Sequence, residues 1–138
     1  MNFKNFHEAF DKPYKWEIDP DSVASLGFIA DADDYTLEVY FWKNDADIEI
    51  TFAVDDLERL TGNGNAFRIF ATVKDIIFAN IKYLKYSKSV YFSAEKKEKS
   101  RVKLYKLLAP KLKKKLKKKH LVLSETPGLV IFTISDKD

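Results

Sequence analysis

The stretch Val54 to Asn65, VDDLERLTGNGN, carries the residue types and spacing best suited to binding chemistry in this chain. Arg59 is followed by Leu60 and Thr61, then by Gly62, Asn63 and Gly64. The loop lies between a strand-like run that ends at Val54 and a helix-like run that starts near Asn65. Glycines let a backbone turn tightly and approach a ligand closely. The first four N–H groups of the following helix have no intrahelical partner and carry a partial positive charge. Together these features suit an anion, and a diphosphate above all. The same residues also read as a strand-to-helix turn that only shapes the chain.

A second chemical feature is cationic. Residues 111–119, KLKKKLKKK, hold seven lysines and two leucines. Leu112 and Leu116 are four apart, so one face can dock while Lys113, Lys114, Lys117 and Lys118 point outward. Charge is divided along the chain. Residues 1–60 hold 15 acids and 5 bases, whereas residues 61–138 hold 6 acids and 19 bases, for a net charge of +3. Closely spaced like charges repel, so the run is not expected to serve helix stability. It reads either as a solvated helix face or as a surface for polyanions: nucleic acid, an acidic host protein, or the acidic half of a second copy in a homodimer. No aromatic residue interleaves the run, which argues against base stacking there.

Other classes are disfavoured. The chain has no cysteine, hence no disulfide framework and no thiolate metal site. His7 and His120 are far apart, so no metal site is expected. The start, MNFKNFHEAF, lacks the basic n-region and apolar run of a signal peptide. No stretch reaches the ~18 apolar residues of a membrane span. A soluble, cytoplasmic protein is expected, and one domain is expected over residues 1–138.

The elements that would position these features follow from periodicity. Asn2 to Phe10 suits a short helix, and Tyr14 to Ile18 an extended segment. Ser25–Ala30, Tyr35–Trp42 and Asp47–Val54 read as three antiparallel strands joined by short turns. Leu37, Val39 and Phe41 alternate with Thr36, Glu38 and Tyr40, and Ile48, Ile50, Phe52 and Val54 share one face. A helix from Asn65 through Ile81 has a polar stripe of only Arg68, Thr72, Asp75 and Lys82, so most of its circumference is expected to be buried. Ser89–Ala94 is a strand and Lys99–Leu108 a helix. Pro110 is placed in the first turn of a separate basic helix, Lys111–Lys119. Leu121–Ser124 and Leu129–Ile134 close the chain as a hairpin. The expected fold is α/β: a mixed, mostly antiparallel sheet of six or seven strands with two main helices, in the order βββ-α-β-α-ββ.

The loop pattern resembles the R/Q-x-x-G-x-G/A motif of the GNAT (GCN5-related) N-acetyltransferase superfamily. Val54 stands five residues before Arg59, as a valine commonly does in that family, and Phe67 stands three after Gly64. Leu104-Tyr105 in SRVKLYKLL matches the family's later Leu-Tyr pair. The element order from Ser25 onward is that of the family after its first strand and two helices. The phrases TGNGNAF and SRVKLY are also similar to those of small uncharacterised tailed-phage proteins, for which the location would be the host cytoplasm.

The resemblance implies acetyl-CoA as cofactor, with its pyrophosphate on Arg59, Leu60, Thr61, Gly62, Asn63, Gly64 and Asn65 and its pantetheine arm beside the strand ending at Val54. It implies an amine acceptor, either a small molecule or a protein. Tyr105 would protonate the departing thiolate, or else be a core tyrosine. Glu49 would help deprotonate the amine, or else be a solvent-facing strand residue. The chain departs from the family in three places. Residues 1–22 replace a strand and two helices that wall the acceptor site, leaving the meander (25–54) and the cofactor-loop half (55–138). The family's Asn and Ala before the Leu-Tyr pair fall on Glu98 and Arg101, and its Gly-Phe after that helix falls near Ala109-Pro110. Alternatively, the fold is kept without catalysis and the basic face is the working surface.

Overall fold

Alternation of apolar and polar residues sets the sheet. The structure, a computed structural model, describes residues 12–32, 35–54 and 64–136. The strands are β1 (Trp16–Ile18), β2 (Leu26–Ala32), β3 (Tyr35–Asn44), β4 (Asp47–Val54), β5 (Ser89–Glu95), β6 (His120–Thr126) and β7 (Leu129–Ser135). The helices are α1 (Gly64–Ala79), α2 (Ile81–Lys85) and α3 (Lys99–Leu116). Among the described residues these seven strands form one mixed sheet in the order β1-β2-β3-β4-β5-β7-β6, and only β4 and β5 pair in parallel. The fold class, the order of strands and main helices along the chain from β2 onward, and the two main helices are those expected from the sequence. The architecture is broadly GNAT-like.

Leu37, Val39 and Phe41 of β3, Ile48, Ile50 and Phe52 of β4, Val90, Phe92 and Ala94 of β5, and Val130, Phe132 and Ile134 of β7 are all buried on one face. There they meet Ile69, Val73, Ile76 and Ile77 of α1 and Leu104, Tyr105, Leu108, Ala109, Leu112 and Leu116 of α3. Each large side chain so buried contributes about 1.5–3 kcal/mol, which is why the period-2 and period-3.6 patterns decide the layers. The opposite face carries the row Trp42–Glu49–Tyr91–Thr133 across four strands. The hairpin between β6 and β7 turns at Gly128, whose φ of 137° favours glycine.

Two expectations are corrected. The chain does not break at Pro110: α3 is one helix from Lys99 to Leu116 with the proline inside it. Pro110 and Lys106 are both exposed, so water can serve the carbonyl that loses its donor. The buried stripe running from Leu104 to Leu116 offsets the local cost of roughly 3 kcal/mol. The helix after Gly64 does not run through Ile81. Asn80 ends it, with its side-chain amide donating to the Ile76 carbonyl at 2.7 Å, in competition with the backbone ladder.

The polar stripe of α1 docks the segment from Lys12 to Trp16. Thr72 is fully buried; its hydroxyl accepts the Tyr14 N–H at 2.8 Å and donates to the Arg68 carbonyl at 2.7 Å. Arg68 lies 3.9 Å from the Tyr14 ring centroid and donates to the Lys12 carbonyl at 3.1 Å. Trp16 donates its indole N–H to Asp75 at 2.8 Å. These contacts hold β1 at the sheet edge beside β2. The expected short helix Asn2–Phe10 lies outside the described residues.

Candidate functional site

The parallel pairing of β4 and β5 is short. Asp47, Ile48 and Glu49 face Ser89, Val90 and Tyr91, and there it stops. Beyond it, among the described residues, β4 continues to Val54 paired only with β3, and β5 continues to Glu95 paired only with β7. The strands diverge, leaving a fork whose one wall is the edge of β4. The chain next enters α1, whose first residues are Gly64 and Asn65. Arg59, Leu60, Thr61, Gly62 and Asn63 lie outside the described residues. Val54 ends β4 and is partly buried against the core.

Arg101, in the first turn of α3, reaches into this fork. Its Nη1 donates to the carbonyl of Phe52 on β4, and its guanidinium carbon lies 4.3 Å from the Phe52 ring centroid. Its Nε bonds Glu98 Oε2 at 3.0 Å. The other Glu98 oxygen accepts the Glu95 N–H at 2.9 Å, at the end of β5. One ion pair thus bridges β4 to the turn that follows β5. Arg101 is 16% exposed along its side chain, so this pair is far better shielded from water than an ordinary surface pair. Arg101 and Glu98 were not among the site residues expected from the sequence. Their signal is the i,i+3 charge pair at positions where the resembling family has Ala and Asn.

Tyr105 lies one turn further along α3. It is 2% exposed, with ring centroids of Phe92, Phe52 and Phe132 at 4.5, 5.9 and 6.0 Å. Burial pushes its hydroxyl up to about 12, and the Arg101 guanidinium offsets only part of that rise. Glu49 sits where the fork begins, opposite Trp42 on β3 and Tyr91 on β5. It is half-buried on the face opposite Tyr105, and its charge acts with burial to raise the Tyr91 hydroxyl. Tyr105 and Glu49 therefore approach the fork from opposite sides of the sheet. Among the described residues, no group of three or more His, Cys, Asp or Glu side chains could hold a metal ion.

The four expected polyanion-binding lysines are not equivalent. Lys114 and Lys117 are exposed and Lys113 is half-buried. Lys118 does not point outward: its ammonium donates to the Ser87 carbonyl at 2.7 Å and pairs with Asp136 at 3.5 Å, with 7% of the side chain exposed. The helix ends at Leu116, with Lys113, Lys114 and Lys115 in its last turn. Cations there interact favourably with the helix dipole, which offsets part of their mutual repulsion. Lys113, Lys114, Lys118, Lys119 and His120 line a groove of about 610 Å³ against β6, together with Leu121 and Val122.

Comparison with family models, with curated proteins and with solved structures gives no match to this chain. The likeness to the GNAT fold is one of architecture. Among the described residues no helix is long and apolar enough to cross a membrane.

Proposed function

We propose that the protein binds an acyl-CoA thioester, acetyl-CoA in the simplest case, at the fork between β4 and β5, and that acyl transfer to an amine is the chemistry this site would carry. The observation that supports the reading is the divergence of two parallel strands after Glu49 and Tyr91, which leaves the edge of β4 without a strand partner among the described residues. An extended pantetheine arm carries amides that can pair with such an edge. The glycine loop before α1 would take the pyrophosphate.

In this reading the fork supplies positioning, which accounts for a large part of the rate in a two-reactant transfer. The amine nitrogen attacks the thioester carbonyl, a C–N bond forms, the C–S bond breaks, and the amine proton passes to Glu49. Tyr105 is protonated at neutral pH, as an ordinary tyrosine is, and burial pushes its hydroxyl further up, to about 12. An ordinary thiol titrates near 8.5, so full proton transfer from Tyr105 to the departing thiolate is uphill. Tyr105 serves instead as a hydrogen-bond donor to the sulfur. The acceptor side differs from the family's, because the described helices all pack on the face away from Glu49.

Titration calorimetry with acetyl-CoA and CoA tests the proposal. Gly62→Asp and Gly64→Asp each add a side chain and a negative charge where phosphate would approach. Both should abolish binding while circular dichroism stays that of the wild type. No heat from the wild type at millimolar CoA would overturn the reading.

A further inference from the structure

The sheet has two edges, and they are built differently. The β1 edge is three residues long, carries Glu17, and is followed at once by Asp19, Pro20 and Asp21. Shortness, charge and proline are the usual devices that keep an edge from pairing. The β6 edge has none of them in its middle. It runs seven residues, HLVLSET, with Val122 51% and Leu123 48% exposed. Among the described residues no strand pairs with its outer side.

The geometry points to a second copy of this chain as the occupant of that edge, joined β6 to β6 in antiparallel fashion about a two-fold axis at Leu123. Opposite residues in an antiparallel pair share a face, so only an even register is open to a two-fold pairing. Centred on the middle of the strand, Leu123 meets its own copy, Leu121 faces Glu125 of the copy, and Val122 faces Ser124 of the copy. Leu121, Leu123 and Glu125 lie opposite Ile134, Phe132 and Val130 of β7, which are buried under α3, so all three point to the helix side.

Charge selects the same partner. The cationic groove runs between the end of α3 and β6, with Lys113, Lys114 and Leu121 among the residues that line it. The pairing brings each Glu125 to the other copy's groove. Among the described residues Glu125 pairs weakly with Lys96 at 3.7 Å, both side chains being about half exposed. The two grooves do not oppose each other, because Leu121 and its copy stand four residues apart, about 14 Å along the strand. That exceeds the screening length of ~8 Å at physiological salt.

The chain has no cysteine, so one introduced thiol gives an unambiguous report. Leu123→Cys should form an intermolecular disulfide under mild oxidation, since directly opposed positions bring Cβ atoms to about 4.5–5.5 Å. Val23→Cys, at an 89% exposed site, should not. Light scattering across micromolar to millimolar protein should show twice the 16.0 kDa chain mass. Leu123→Lys should give a monomer with unchanged circular dichroism. Glu125→Lys should weaken the dimer at least tenfold, and Lys113→Glu with Lys114→Glu on that background should restore it. A monomer at every concentration overturns the inference. So does a dimer insensitive to Leu123→Lys, which would use another face. So does a monomer whose groove lysines instead bind heparin or duplex DNA, which would make a polyanion the occupant.

Discussion

Arg101 donates to the main-chain carbonyl of Phe52 while its guanidinium lies over the ring of the same residue. The contact joins α3 to the stretch of β4 that has left β5, so it fills the fork between them. A ligand pairing with β4 at Phe52 must move Arg101 aside. Arg101→Ala, which empties the fork of that side chain, should therefore tighten CoA binding, read by calorimetry. It should also cost about 1.5–3 kcal/mol in urea denaturation, the range for a hydrogen bond to a charged group. Unchanged or weaker CoA binding would mean that Arg101 belongs to the ligand site and does not block it.

Tyr105 carries a pH signature. Its hydroxyl titrates near 10 when unfolded and at about 12 when folded. Between these values the unfolded chain loses a proton that the native chain keeps, so stability falls as pH rises. The contribution is complete below pH 10 and is lost as pH passes about 12. Tyr105→Phe should flatten the decline in melting temperature across that window relative to the wild type. Tyr40, held up to about 12 chiefly by its hydrogen bond to Glu38, would show the same late titration in absorbance, and Tyr40→Phe separates the two.

The lysine run should divide by function in denaturation experiments. Lys118→Gln removes a shielded ammonium from the Ser87 carbonyl and Asp136, and should cost about 1.5–3 kcal/mol. Lys114→Gln, on the exposed side, should stay within about 0.5 kcal/mol. Lys117 occupies the left-handed region at φ 59°, at the end of α3. Lys117→Gly should raise stability by up to about 1 kcal/mol, because glycine adopts that conformation freely.

Thr72 tests how the segment before β1 is held. Thr72→Val keeps the shape and leaves the buried Tyr14 N–H without its acceptor, so it should cost about 1–3 kcal/mol. Thr72→Ser keeps the oxygen and should recover most of that. Hydrogen exchange at the Tyr14 amide should speed up in the valine variant alone.

Local pattern determined much of this protein. The alternation in Tyr35–Trp42 and Asp47–Val54, the turn residues between them, and the apolar periodicities of α1 and α3 dictated strands, helices and their order, because each element can bury only one stripe. Tertiary packing decided the rest. Pro110 reads as a helix boundary, yet Leu108, Ala109, Leu112 and Leu116 bury one continuous stripe across it, and that burial outweighs a local defect. Thr72 and Arg68 read only as part of a polar stripe, and what they bind is set by the chain from Lys12 to Trp16 lying against them. Lys118 reads like its neighbours in the run, and only the approach of Ser87 and Asp136 sets it apart. Arg101 and Phe52 are 49 residues apart, and their contact exists because two strands separate and α3 starts beside the gap. Periodicity reports which side of an element is apolar. It does not report which distant backbone group will stand within reach of a side chain, since that depends on how the layers close.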